Sequence, residues 1–137
     1  MSSFRIFDIA GSGMAAQSVR LNTVASNLAN AESVSSTPEG AYKARHPVFE
    51  AVRGQLAAGG VDAAVRVRGI VEDQAAPEAR YQPGNPLANE EGYVFAPNVN
   101  VVEEMVDMIS ASRAYQNNVE VMNTSKELLL ATLRLGQ

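Results

Sequence analysis

The chain has 137 residues, 46% of them apolar and 19% charged, a size that fits one domain. Eleven basic against fifteen acidic side chains leave a net charge of −4, which argues against a nucleic-acid binder, because that needs a basic patch or stripe to meet phosphates. The absence of Cys excludes disulfides, Cys-ligated zinc, Fe–S clusters and thiol catalysis, and a single His excludes a multi-His metal site but not a carboxylate one.

At the amino end, Phe7, Ala10, Met14, Gln17, Leu21, Val24, Leu28 and Ala31 recur at alternating intervals of three and four. This is an a/d heptad stripe, narrower than the buried face of an ordinary globular helix. Ser2 or Ser3 is suited to cap its start, and residues 33–38 end it. Gly11 and Gly13 lie inside the pattern; each costs about 1 kcal/mol relative to Ala but lets a neighbouring backbone approach closely. Asp8 interrupts the first apolar stretch before it reaches the length of a signal peptide, so no cleaved secretory signal is expected. No apolar run approaches the roughly 18 residues of a membrane span, and no membrane insertion is expected.

Residues 34–97 change character. Pro38, Gly40, Pro47, Gly59-Gly60, Pro77, Pro83-Gly84, Pro86 and Gly92 break the segment into short pieces. Residues 61–71 contain the alternation Val65-Arg66-Val67-Arg68 of a half-buried strand, and 42–44, 47–52 and 93–95 are shorter strand candidates. A β-rich middle domain of this size is marginal in self-burial.

At the carboxyl end, Val101, Met105, Met108, Ser112, Tyr115, Val119, Met122, Lys126, Leu129 and Leu133 hold the 3/4 spacing for more than four heptads. Asn100 with Glu103 three residues on reads as a capping-box-like start, and Glu103, Glu104 and Asp107 suit the positive end of the macrodipole. Such a helix runs roughly 50 Å, too long for a globule of this size to bury along its length. Ile109 and Leu130 fall to one side of the seam and Val121, Leu128 and Leu135 to the other, so residues 128–135 are apolar nearly all round. One partner helix of the same chain covers only one stripe, and the remainder is expected to meet other subunits. The predicted fold is mixed α+β: an amino-terminal helix in residues 1–33, a small β-rich domain in 34–97, and a long carboxyl-terminal helix in 98–137. The two helices are expected to pack as a coiled coil.

Candidate chemistry is sparse. Gly11-Ser12-Gly13-Met14-Ala15-Ala16 matches the dinucleotide fingerprint, and residues 4–9 are readable as a strand before it. The following helix, however, runs into 27–36 with no apolar strand behind it, which the fingerprint requires. His46 has no thiol or second His to accompany it. Glu103, Glu104 and Asp107 are a conceivable carboxylate metal site, for which helix-start acids are the simpler account. Asn123-Thr124-Ser125 fits a glycosylation sequon but lies mid-helix. No catalytic, cofactor-binding or metal-ligating residue is assigned, and no cofactor or enzymatic activity is expected.

Two motifs carry a resemblance. Asn27-Leu28-Ala29-Asn30, closing the first heptad helix, is similar to the Asn-x-Ala-Asn signature of flagellar axial proteins, the rod, hook and hook-associated families. Pro97-Asn98-Val99-Asn100-Val101-Val102-Glu103-Glu104-Met105-Val106-Asp107-Met108, followed by Ser110-Ala111-Ser112-Arg113-Ala114-Tyr115-Gln116-Asn117-Asn118-Val119, resembles the carboxyl-terminal helix of proximal-rod proteins of the bacterial flagellar basal body. Gly69-Ile70-Val71-Glu72-Asp73, Tyr81-Gln82-Pro83-Gly84 and Gly92-Tyr93-Val94 look like that family's middle segment, so the resemblance covers nearly the whole chain. Asn85 stands where the family usually has His, and Ser33 where Thr is common; neither touches the heptads. The short middle argues against the distal-rod and hook relatives.

The resemblance implies a structural subunit that polymerises through its terminal helices into the rod crossing the periplasm, with the β-rich middle outside. Torque transmission from the motor would be its mechanism. Its partners would be copies of itself, other rod proteins, the export apparatus and the basal-body rings, and it would leave the cytoplasm unfolded through the flagellar type III system. Asn27, Leu28, Ala29, Asn30, Pro97, Asn98, Asn100, Glu104 and Met105 form the implied assembly motif. Phe7, Met14, Leu21, Val24, Leu28, Met108, Tyr115, Val119, Met122, Leu129 and Leu133 form the helix seam. A cytoplasmic coiled-coil adaptor would use the same heptads and is the alternative reading. Because the amino helix is weak alone, both arms are expected to fray in the dilute chain and to order on assembly. Asp at Met105 or at Met122 is expected to leave the chain soluble and to block assembly.

Overall fold

The computed structural model describes residues 3–54 and 62–136. The order is helix α1 (Ser3–Asn30), strands β1 (Arg45–Gly54), β2 (Asp62–Glu72), β3 (Glu78–Tyr81) and β4 (Tyr93–Ala96), and helix α2 (Val101–Leu135). The fold is mixed α+β, two long helices with short antiparallel sheets between them. The cap from Ser2, the Gly59-Gly60 break and Val61 lie outside the described residues.

α2 starts where Asn100, in an extended conformation, accepts hydrogen bonds from the backbone N–H groups of Val102 (3.1 Å) and Glu103 (3.4 Å). Glu103 and Glu104 occupy its first turn and Arg134 its last, as the macrodipole favours. Its 35 residues span about 52 Å. The two helices run antiparallel. A Cβ added at Gly13 would come within 2.8 Å of the Asn118 side chain, and Asn27 meets Glu104, so contacts fourteen residues apart on α1 fall fourteen apart on α2. Arg20 reaches Asp107 between them at 2.7 Å.

A Cβ at Gly13 would therefore crowd the end of the Asn118 side chain on α2, whereas one at Gly11 meets nothing within 4 Å. Gly11→Ala is expected to stabilise the chain by about 0.5–1 kcal/mol through helix propensity alone. Gly13→Leu is expected to force the helices apart at a cost of about 1–3 kcal/mol. Urea denaturation of the two variants checks the contrast.

The middle segment holds two separate two-stranded sheets, β1–β2 and β3–β4. β1 and β2 pair from Arg45 with Glu72 to Gly54 with Asp62, and the register slips between Val48 and Phe49, where Arg68 has no partner. An isolated two-stranded ribbon is marginal in water, and this one leans on α1: the Ser12 hydroxyl accepts from the Val65 N–H at 3.1 Å. The strand candidates at 61–71, 47–52 and 93–95 become parts of β2, β1 and β4. Residues 42–44 form no strand, because Ala44 N–H donates to the Asn98 side chain and Ala44 C=O accepts from Asp73. β3 is an additional strand, paired from Glu78 with Ala96 to Tyr81 with Tyr93.

Among the described residues the buried apolar positions are seven Ala and two Val: Ala10, Ala16, Val24, Ala31, Ala41, Ala44, Val94, Ala96 and Ala111. The larger apolar side chains lie mostly outside this core, the reverse of an ordinary globule. Burying a Leu or Met contributes about 1.5–3 kcal/mol, so a core of Ala and Val leaves most of the available hydrophobic stabilisation unused within one chain.

Candidate assembly interface

Asn27 is fully buried at the point where α1, β1 and α2 meet. Its Nδ2 donates to the Arg45 carbonyl (2.9 Å) and to Glu104 Oε1 (2.9 Å). Its Oδ1 accepts from the Arg45 N–H (2.9 Å) and from the Tyr42 hydroxyl (2.9 Å). Both capacities of the amide are thus satisfied, and one side chain clamps the two ends of the sequence together. Asn98 does similar work nearby: its Oδ1 accepts from Ala44 N–H (2.8 Å) and its Nδ2 donates to the Ala75 carbonyl (3.0 Å). Asn30 returns its Nδ2 to the Ser26 carbonyl in the last turn of α1 (2.8 Å), Leu28 is half-buried, Ala29 is exposed and Pro97 is buried.

Glu104 is 4% exposed, and its Oε2 has no hydrogen-bond partner among the described residues. Burial raises its carboxyl above the ordinary carboxylate range; the Asn27 bond and the His46 charge act the other way, while Asp107 and Glu103 add to the rise. A carboxyl raised on folding binds its proton more firmly in the folded chain. It therefore adds stability below its unfolded value, and that stability is lost as pH rises through the folded one. Glu104→Gln is expected to match or exceed the parent's stability at pH 7 and to gain less than the parent on mild acidification. Denaturant titrations at pH 7 and pH 5 read both effects; a variant clearly weaker at pH 7 would show the charge to be stabilising.

Beyond this junction, α2 presents Val102, Met105, Val106 and Ile109 at helical spacing, each more than half exposed, and farther along Val121, Leu128, Leu130, Leu133 and Leu135. The exposed polar residues Arg113, Gln116, Asn117 and Glu120 separate the two groups, so α2 carries two apolar patches, one in its first turns and one in its carboxyl-terminal half, of the kind that another protein covers. Among the described residues no helix is long and apolar enough to cross a membrane, and no group of three or more His, Asp or Glu is placed to hold a metal ion. Residues 4–9 and Gly11 to Gly13 all lie inside α1, so the strand–turn–helix that a dinucleotide site needs is absent from that segment.

A family model described as "Flagella basal body rod protein" matches residues 7–34, and one described as "Flagellar basal body rod FlgEFG protein C-terminal" matches residues 90–135. The flagellar basal-body rod protein FlgC of Yersinia enterocolitica is 54% identical over 139 residues, and that of Salmonella typhimurium is 52% identical over 139, each alignment covering all of both chains. FlgC of Aquifex aeolicus is 46% identical over 134 residues, 96% of each chain. The chain belongs to the FlgC family of flagellar basal-body rod proteins.

The two segments that match the rod models contain most of α1 and all of α2, the helices joined by Asn27 and Glu104, while the relatives of the FlgC family extend over the middle as well. All eight positions of the amino-terminal stripe, Phe7, Met14, Leu21, Val24 and Leu28 among them, are buried or half-buried. Ala16, Thr23 and Asn27 are buried beside them, because β1 and β2 cover a second side of α1.

On α2 the inward row runs through Glu104, Met108, Ala111, Tyr115, Asn118, Met122, Ser125 and Leu129, all buried or half-buried. Met108, Tyr115, Met122 and Leu129 are shared with the sequence stripe. The stripe's other row lies one residue on, about 100° around the helix. In that row Val119 is half-buried, while Met105 and Leu133 are exposed. Tyr42, Arg20, Ala111 and Asn118 belong to the site but lie outside both heptad stripes. The signal available for Ala111 and Asn118 was their spacing from Glu104; for Tyr42 and Arg20 no local pattern existed.

Proposed function

We propose that this chain is a structural subunit of the flagellar basal-body rod that polymerises through its terminal helices. In this reading the arms in residues 1–33 and 98–137 form the polymer core and pack there as coiled coil, and residues 34–97 form the outward middle domain. The rod acts as a drive shaft, transmitting motor torque across the periplasm. The observation that carries the reading is the pair of apolar patches on α2, from Val102 to Ile109 and from Val121 to Leu135, left uncovered within the chain. The full-length likeness to FlgC proteins supports it.

Other rod proteins and copies of this chain are its partners, with the export apparatus and basal-body rings as transient or peripheral ones. Export follows the flagellar type III route without a cleaved signal. The role is mechanical, without catalysis or cofactor. Asn27, Asn98 and Glu104 serve assembly by fixing the angle at which the two arms leave the middle, Asn30 and Asn100 by closing the helix ends there, and Met105 as a contact. Deleting the gene and imaging basal bodies tests the role. Rods truncated in the deletion strain and restored by the gene are expected; full-length rods in its absence, or a chain that stays in the cytoplasm, would favour an adaptor instead.

A further inference from the structure

The first turns of α2 and the foot of β1 enclose an open groove of about 350 Å³ lined by His46, Val102, Glu103, Glu104, Val106 and Asp107. Its charge is unbalanced. Asp107 is held by Arg20 at 2.7 Å, but the Glu103 carboxylate has no partner among the described residues, and the nearly buried Glu104 leaves Oε2 without one. The helix terminus supplies only about half a positive charge against these carboxylates. His46 stands 4.0 Å from Asp73 on the other wall. Val102 and Val106, 69% and 60% exposed, flank the acids, so the groove asks for a cation carried on an apolar surface.

The far end of α2 has that chemistry. Leu128, Leu133 and Leu135 are 64–89% exposed, and Arg134, set between the last two, has no acidic partner among the described residues. One continuous helix of about 52 Å separates the two ends, so a chain cannot fill its own groove. We propose that the acidic groove at the start of α2 receives the Arg134-bearing, leucine-rich end of α2 from a second copy of this chain. The proposal rests on the rod-subunit reading and specifies one of its contacts. The contact joins different surfaces head to tail, the kind that propagates into a helical assembly, and it covers the two most exposed apolar patches of α2 at once.

The chain has no Cys, so introduced thiols report cleanly. The full-length chain carrying both Glu103→Cys and Arg134→Cys is expressed in place of the parent, and isolated basal bodies are treated with a short bismaleimide. A ladder of covalently joined copies is expected, with dimers only when the two single variants are co-expressed and neither joined when expressed alone. The chain present in basal bodies but unlinked would overturn the contact and leave the rod reading intact; the parent chain's absence from basal bodies would remove the rod reading itself. If the double cysteine variant does not enter rods, a charge exchange decides. Glu103→Arg or Arg134→Glu alone is expected to lower incorporation on the order of tenfold or more, and the two together to restore it. A double variant no better than the weaker single one overturns the proposal.

Discussion

Replacing Asn27 by Ala is expected to destabilise the chain by about 3 kcal/mol or more, a large part of the 5–15 kcal/mol typical of a small domain. The side chain is fully buried and makes four hydrogen bonds of 2.9 Å to Arg45, Glu104 and Tyr42. Its removal strands the Arg45 amide and carbonyl and deprives a buried carboxylate of its donor. Each buried polar group left unpaired costs about 1–3 kcal/mol. Tyr42 retains Ser26 as a partner at 3.1 Å, so its share of the loss is small. Asn30→Ala, which removes only a local bond to the Ser26 carbonyl, is expected to cost about 1 kcal/mol or less. Thermal and urea unfolding of the two variants measure the difference; equal effects would mean that the junction does not hold the arms together.

Met105→Asp is expected to do the opposite: to leave the isolated chain's stability within about 0.5 kcal/mol and to reduce rod incorporation by about a hundredfold or more. Met105 is 54% exposed, and Asp early in a helix suits the dipole, so little changes in the single chain. In the rod the same carboxylate would enter an apolar contact without a partner, at a cost of several kcal/mol. Met122→Asp behaves differently. Met122 lies half-buried in the inward row, so this variant is expected to weaken both the single chain and its assembly. Incorporation is read by quantifying the chain in purified basal bodies, and stability by unfolding the purified protein. Normal incorporation of the Met105 variant would remove this face from the assembly surface.

The contrast between Met105 and Met122 shows where the sequence stops being readable. Heptad spacing identifies both helices, and capping chemistry at Asn100 locates the start of the second within a residue. Spacing alone treats Met105 and Met122 as members of one seam. The facing row is set by where α1 can approach, and that depends on Gly13 lying over Asn118 and Asn27 over Glu104. These pairings join residues 105 and 77 positions apart, and no local pattern encodes them. The same limit applies to the middle: alternation locates β2, but it does not reveal that β1–β2 and β3–β4 are separate sheets. Asn27 and Glu104 were legible as members of two motifs, though not as partners.

A subunit of this kind fills its most buried positions with small side chains, keeps the large ones of its inward rows half-buried, and leaves the rest exposed. Ala and Val fill the contact between α1, α2 and the strands, which allows close approach of backbones with little buried area. The larger side chains of α2 remain for neighbours to cover. Assembly would then supply the burial that the single chain lacks, and the far ends of the helical arms, expected to be marginal in dilute solution, would become rigid in the rod. Hydrogen exchange of the backbone amides in 121–135, beyond the part of α2 that Asn27, Arg20 and Gly13 meet, compared between the dilute chain and isolated basal bodies, tests this most directly. Rapid exchange in the dilute chain and strong protection in the rod is the expected result. Equal protection in both, with the arms already fully ordered in the single chain, would contradict it.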